Sequence, residues 1–247
     1  MKISLDLHIH SRRSPDGRMS LEEIAAAARQ RGLDAVAICD HDLSYSGPPS
    51  VDGVLMIPGV EVSTDRGHLL GLFVEGVDGT RSFLSSVQAI REAGGVAVLA
   101  HPFQRPRKEE ELLPLAAHLD GVEVWNSRAD RKDPLANAKA AALAQKTGLP
   151  PFAGSDAHLP QEIGSGRILV QAQALTLPAL RAALLAGGGE VSGVDSPALC
   201  VARSQYTKLK KTNASPLRWG KWTAFAAKCV LEDFRRSGRR TTICRSS

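Results

Sequence analysis

Two hydrophobic rhythms alternate along the chain. Ile3, Leu5, Leu7 and Ile9 recur with a period of two, which predicts a strand and sets His8 and His10 side by side. Arg12 to Gly17 reads as a loop with a Pro-Asp-Gly turn. Ser20-Leu21-Glu22-Glu23 then has the form of a capping box opening an Ala-rich helix that ends near Arg31-Gly32. Ala35 to Ile38 is apolar throughout, as a doubly covered strand requires, and runs into Cys39-Asp40-His41-Asp42. Two strand-like runs follow, Val54 to Val62 broken at Pro58-Gly59, and His68 to Val74.

The second half repeats a strand-helix unit. A helix from about Arg81 to Ala93 precedes the strand Val96 to Ala100, which ends in His101-Pro102. A helix around Glu109 to His118 leads to the strand Gly121 to Trp125, ending near Asn126, and a helix around Pro134 to Lys146 follows. A short strand from Phe152 enters Gly154-Ser155-Asp156-Ala157-His158; the strand Gly166 to Val170 and the helix Leu177 to Leu185 close the pattern. Such alternation predicts a parallel sheet, and about seven units favour a closed α/β barrel with its chemistry at the carboxyl ends of the strands.

Gly187-Gly188-Gly189 marks a boundary, giving an expected barrel domain over residues 1–190 and an extension over 191–247. In the extension we expect a loop from Ser192 to Pro197, a basic segment with Lys208, Lys210 and Lys211, a helix from about Leu217 to Phe234, and disorder from Arg235 onward. Charge sharpens the division. Residues 203–247 hold 12 Lys/Arg against Glu232 and Asp233, a local +10, which leaves −5 on the other 202 residues. A nucleic-acid partner is therefore expected only through the tail, where Trp219 and Trp222 stand among the bases; packing of those aromatics against the barrel is the competing reading. No apolar run approaches the ~20 residues that span a bilayer, and Met1 to Ser4 lead straight into a strand, so no membrane association and a cytoplasmic location are expected. Cys39, Cys200, Cys229 and Cys244 lack any Cys-x-x-Cys spacing and are expected as reduced thiols, Cys39 as a packing residue.

The candidate chemistry is carried by histidine. Six of the seven, His8, His10, His41, His68, His101 and His158, fall at the start or end of predicted strands; only His118 lies within a helix. Asp16, Asp40, Glu61 and Asp156 accompany them. Imidazole and carboxylate without cysteine suit Zn, Mn or Fe(II), and the donors outnumber what one tetrahedral ion uses. Two or three divalent ions in one site are a device for hydrolysing phosphate esters.

In order, Asp6-Leu7-His8-Ile9-His10-Ser11, Ala37-Ile38-Cys39-Asp40-His41-Asp42, Pro58-Gly59-Val60-Glu61, His68-Leu69-Leu70-Gly71, Ala100-His101-Pro102 and Gly154-Ser155-Asp156-Ala157-His158 resemble the motifs of the PHP (polymerase and histidinol phosphatase) family. The resemblance covers roughly residues 1–190. It implies a distorted (β/α)7 barrel with a short basic, partly helical C-terminal extension. It makes His8, His10, Asp16, His41, Glu61, His68, His101, Asp156 and His158 metal ligands for Mn, Zn or Fe, Glu61 and Asp156 bridging two ions. Asp16, where some members have His, tilts the preference toward Mn or Fe.

The implied reaction is hydrolysis of a phosphate monoester, a small phosphorylated metabolite or nucleotide, by a metal-activated hydroxide. Asp40, His41, Asp156 and His158 are the candidate catalytic residues. Asp40 either orients His41 or carries a proton, or simply caps the loop after its strand. Arg12, Arg13, Arg128 and Arg167 are candidates for binding phosphate, Arg128 first among them. Trp125 either stacks on a base or fills the barrel rim. The alternatives are a nuclease that uses the basic tail, and a module that holds metals for stability alone. Relatives acting on nucleoside bisphosphates and short RNA carry a helical insertion after the motif matching His68 to Gly71; here about 20 residues reach the next strand.

Overall fold

The computed structural model describes residues 1–79 and 82–236. Arg81, most of the segment expected to be disordered, and Cys244 lie outside them. The elements in order are β1 (Lys2–Ile9), α1 (Leu21–Gln30), β2 (Ala35–Ile38), β3 (Ser50–Val51), β4 (Val54–Thr64), β5 (Gly67–Leu72), α2 (Phe83–Glu92), β6 (Val96–Leu99), α3 (Leu113–Ala116), β7 (Gly121–Asn126), α4 (Ala136–Thr147), β8 (Pro151–Gly154), β9 (Gly166–Gln171), α5 (Leu177–Leu185), β10 (Glu190–Gly193), α6 (Ala198–Lys211) and α7 (Pro216–Arg236).

The strands form one sheet, ordered β10-β9-β1-β2-β4-β5-β6-β7-β8, with β3 paired to β4. It is a nearly closed barrel, as expected, but a mixed one. β1–β2, β2–β4, β6–β7 and β7–β8 are parallel, whereas β4–β5, β5–β6, β1–β9 and β9–β10 are antiparallel. The departure starts at β4, a single strand where a break was expected. It pairs with β2 as far as Pro58 and with β5 from Gly59 onward. Proline lacks the N–H for a ladder, so it sits where the strand changes partner. Only Asp65 and Arg66 separate β4 from β5, too few residues for a crossover helix, so the pair is an antiparallel hairpin.

Between β8 and β1 the barrel is drawn together beyond the strands themselves. The His10 amide donates to Ala157 O at 2.8 Å and the Ala157 amide to His8 O at 3.3 Å. Gly154 lets β8 approach, because a Cβ there would stand 2.3 Å from the His8 Cβ. The approach fixes the height at which His8, His10, Asp156 and His158 meet.

Ile3, Leu5, Leu7, Ile57, Leu70, Leu72, Val96, Val98, Phe152 and Ile168, from strands all round the sheet, pack together with Leu180 and Leu184 of α5 and fill the barrel. Burial of each such side chain stabilises by roughly 1.5–3 kcal/mol. The outer layers are α1 against Ile9, Ile38 and Met56, and α2 and α4 against Val60, Leu69, Leu99 and Val122.

Beyond the expected boundary, β10 continues the sheet to Gly193, antiparallel to β9. α6 and α7 then form a pair with Ala198, Ala202 and Cys229 buried between them. The Trp222 indole donates to Ala202 O at 2.9 Å, and Trp219 meets Tyr206 and Trp222 edge to face while Tyr206 and Trp222 are tilted, all with centroids within 5.3–5.9 Å. Cys39, Cys200 and Cys229 are buried free thiols. No helix of the described residues is long and apolar enough to cross a membrane.

Candidate metal centre

The nine candidate ligands meet at one end of the barrel. His8 and His10, two apart on β1, bring their Nε2 atoms to 3.2 Å. His41 follows β2, Glu61 lies in β4, His68 near the start of antiparallel β5, His101 just after β6, and Asp156 and His158 after β8. Strand ends from opposite sides of the sheet thus point seven imidazole or carboxylate groups inward, with His68 entering from the neighbouring hairpin and Asp16 from the loop after β1.

Glu61 is the hub. Its Oε1 lies 2.6 Å from His68 Nδ1 and 2.9 Å from His101 Nε2; its Oε2 lies 2.9 Å from His41 Nδ1, 3.4 Å from His10 Nε2 and 3.6 Å from His8 Nε2. Asp156 Oδ1 stands 3.3 Å from His10 Nε2 and 3.5 Å from His158 Nδ1, and Asp16 Oδ1 3.3 Å from His158 Nε2. Three groups of donors close enough to share an ion result: His10, Asp16, His41 and His158; His8, His10 and Asp156; Glu61, His68 and His101.

Divalent ions fit these residues on grounds of their own. Asp16 Oδ1 and Glu61 Oε2 are buried with no hydrogen bond among the described residues, only imidazole nitrogens nearby, which leaves acceptor capacity that an ion could fill. His101 and Asp156 hold left-handed backbone, φ 26° and 55°, strain of a kind that collects at working sites. Charge crowding shows in the titration as well. Burial opposes it, but Glu61 and Asp16 push His41 up to about 11, and Glu123, Asp156 and Glu61 hold His8 well above its usual value. Burial, with His158 and His41 alongside, takes His10 down to about 3. Glu61 and Asp156 are held well below the usual carboxylate range by the imidazoles around them, against the desolvation of their site.

A supporting layer fixes the ligands, and part of it was missed in the sequence. Glu123, buried in β7, accepts from His8 Nδ1 at 2.9 Å, from the His101 amide at 2.7 Å and from Asn126 Nδ2 at 3.1 Å. A carboxylate on Nδ1 keeps the proton there and leaves Nε2 facing the cluster. The available signal was a charged residue between Val122 and Val124 in a strand that is otherwise buried. Asp6 accepts from the amides of Ser155 and Gly164, tying β1 to the loops after β8; burial raises it to about 6.

Two sequence-based roles need correction. Among the described residues Asp40 makes no hydrogen bond to His41 or to another candidate ligand, which favours the loop-capping reading of the three. Its oxygens accept from the Ser11 amide at 2.7 Å and the Ser11 hydroxyl at 2.6 Å, so it secures the loop after β1. Arg128 is buried and its fork is closed on Glu162, Nε–Oε1 2.8 Å and Nη2–Oε2 2.6 Å, with Nη1 donating to Ser204 at 3.1 Å. Three of its five N–H groups are thus taken, and the side chain serves as a buried tie. Arg167 is likewise engaged, with the Gly164 and Arg31 carbonyls. Arg13 is exposed and places one nitrogen on Ser44 O and Ser46 Oγ. Trp125 is half-buried against Gly193, and His118 is exposed in the turn after α3.

A barrel with strand-end histidines and crowded carboxylates in clusters that could hold metal ions is the arrangement of a metal-dependent hydrolase. A model of the PHP domain matches residues 6–147 and one of the PHP-associated region matches residues 134–188. The chain belongs to the PHP family of metal-dependent phosphoesterases. An uncharacterized protein of Methanocaldococcus jannaschii is 33% identical over 138 residues, 49% of this chain and 81% of that one. A 5'-3' exoribonuclease of Haemophilus influenzae is 36% identical over 104 residues, 38% of this chain and 37% of its own length. Among solved structures, a two-domain protein of Bacteroides vulgatus, described as containing a predicted PHP-like metal-dependent phosphoesterase, superposes with a TM-score of 0.63 at 18% identity, covering 84% of this chain and 70% of that one.

Proposed function

We propose that the protein hydrolyses phosphate monoesters of small metabolites or nucleotides in a site built for two or three divalent ions, Mn, Zn or Fe, with the nine residues above as ligands. One observation carries the reading: three donor groups lie close together, two sharing His10, with Glu61 within 2.6–3.6 Å of five imidazoles. Ions held there would supply Lewis acidity, lowering the pKa of a water so that hydroxide is available near neutral pH and offsetting phosphoryl charge. The chain's own groups do the rest. Glu61 and Asp156 bring negative charge to the middle of the cluster, and Glu123 fixes the tautomer of His8. Side-chain exposure of 20% at His41 and 28% at His68, against 9% or less at the other seven, supports an approach of substrate from their side. Three buried free thiols accord with a reducing compartment such as the cytoplasm.

The second reading is a nuclease, favoured by the likeness to the exoribonuclease and by the basic tail. Phosphate release from a panel of monoesters, run beside short oligonucleotides with the Mn-loaded protein, decides between them. Release from monoesters with intact oligonucleotides is the expected result; shortened oligonucleotides would favour the nuclease. Asp156→Asn should reduce release at least about a hundredfold, since asparagine tolerates the φ of 55° and the change removes charge without adding backbone strain. Wild-type rates in that variant would remove Asp156 from the site.

Metal uptake should also release protons. Before a metal binds, His41 with its value near 11 is protonated at neutral pH, and a ligand must give up its proton. Titration calorimetry with Mn at pH 7 in buffers of different ionisation enthalpy should show at least about one proton released, and affinity that rises with pH. Heat independent of the buffer would count against His41 as a ligand.

A further inference from the structure

α6 lies beyond the residues matched by either family model, yet it forms part of the rim of the metal centre. Ser204, Thr207, Lys208 and Lys211 are spaced i, i+3, i+4 and i+7, which puts them on one face of the helix. That face is turned to the barrel. Ser204 receives Arg128, and Lys211 Nζ donates to the carbonyls of Arg12 and Ser14 at 2.8 Å and of Gly17 at 2.9 Å. Those carbonyls bracket Asp16, so all three protons of the Lys211 ammonium hold the loop that carries a candidate ligand.

Lys208, one residue under a turn earlier, is differently placed. Its Nζ stands 3.8 Å from Asp16 Oδ2, and it makes no hydrogen bond to any described residue. The side chain is 39% exposed, on the rim next to His41, whose Nε2 is 3.5 Å from the same Asp16 oxygen. Of the arginines that sequence suggested for phosphate, Arg128 and Arg167 are engaged with other groups, and Arg13 rests one nitrogen on Ser44 O and Ser46 Oγ. A phosphate dianion entering a site with three carboxylates needs a cation beyond the ions, and an ammonium with three unengaged donors supplies one.

We propose that Lys208, delivered by the C-terminal extension, binds the phosphate of the substrate, and that Lys211 is a positioning residue for the Asp16 loop. The proposal rests on the phosphoesterase reading, and deepens it: the extension becomes part of the site, its ligand a phosphomonoester dianion.

The test uses the full Mn-loaded chain, inorganic phosphate as the calorimetric probe and p-nitrophenyl phosphate as substrate. Lys208→Ala should weaken phosphate binding and raise KM about 10- to 100-fold, the scale of a charge-assisted hydrogen bond, with kcat within several-fold of wild type and Mn content unchanged. Lys208→Arg should restore most of the loss. Lys211→Ala should lower Mn content and leave KM less affected than in Lys208→Ala. Phosphate bound by Lys208→Ala as tightly as by wild type overturns the proposal; so does loss of Mn from that variant, which would make Lys208 a support of Asp16. Wild-type protein that binds phosphate through Lys208 but turns over no monoester sinks the catalytic reading and leaves Lys208 in its role. Turnover that is indifferent to Lys208 does the reverse, and wild-type protein that does neither ends both.

Discussion

Glu61→Gln is expected to reduce phosphate release about a thousandfold or more and to strip most of the bound metal. The side chain is 1% exposed and five imidazole nitrogens lie within 3.6 Å of its two oxygens. Glutamine keeps the volume but removes the charge and turns an amide donor toward ring nitrogens that need an acceptor or an ion. An ion that Glu61 would help to hold would supply several kcal/mol of transition-state stabilisation as a Lewis acid, and each 1.36 kcal/mol is tenfold in rate. Metal analysis and kcat/KM on one preparation check the point. A fully loaded variant with near-wild-type kcat/KM would show that Glu61 lies beside the chemistry and not in it.

The same substitution should show in the metal-dependence of stability. A ligand that binds only the folded chain raises its stability in proportion to the logarithm of its concentration over Kd, so wild type should melt higher as Mn is added. Glu61→Gln should lose most of that rise. The acid limb carries a sign as well: because the folded chain holds Glu61 well below its usual value, its contribution is present above the unfolded carboxylate range and is lost only as pH falls through the lower folded value.

What the sequence made legible was local. A strand ending in His-x-His, a capping box that the structure shows with Glu23 N–H on Ser20 Oγ at 3.2 Å and Ser20 N–H on Glu23 Oε2 at 2.8 Å, and helices following strands at even spacing all announce themselves within a few residues. Convergence of the histidines then follows from the barrel, because strand ends share one rim. What stayed hidden depends on partners far along the chain. α6 has no side-chain cap of its own; Asp233, 34 and 35 residues later on α7, accepts from the amides of Leu199 and Ala198. β10 has one apolar residue in four and forms because β9 offers a free edge. Asp40 and Arg128 carry the residue types of catalytic and phosphate-binding groups, and only their neighbours reveal that they hold loops together.

Arg128 therefore supports the second large prediction, on stability and not on affinity. Its guanidinium ties three segments: its own turn after β7, the turn at Pro160–Glu162 through both Glu162 oxygens, and α6 through Ser204. Glu162 Oε2 also accepts from the His158 amide at 3.1 Å, so the pair props the backbone of a candidate ligand. Arg128→Ala leaves the Glu162 carboxylate buried and unpaired, which costs about 3–5 kcal/mol, and a domain of this size should then melt about 10 °C lower. Glu162→Gln should cost less, since the guanidinium left behind keeps an amide oxygen as partner and the charges of Asp156 and Asp16 nearby. Replacing both with apolar residues of similar volume should recover much of the loss, because attraction within a buried pair does little more than offset the desolvation of its two charges. Thermal melts of the four proteins, with KM measured on each, separate the two roles proposed for this residue. A phosphate-binding arginine would raise KM at an unchanged melting temperature; a buried tie lowers the melting temperature first and affects catalysis only through His158.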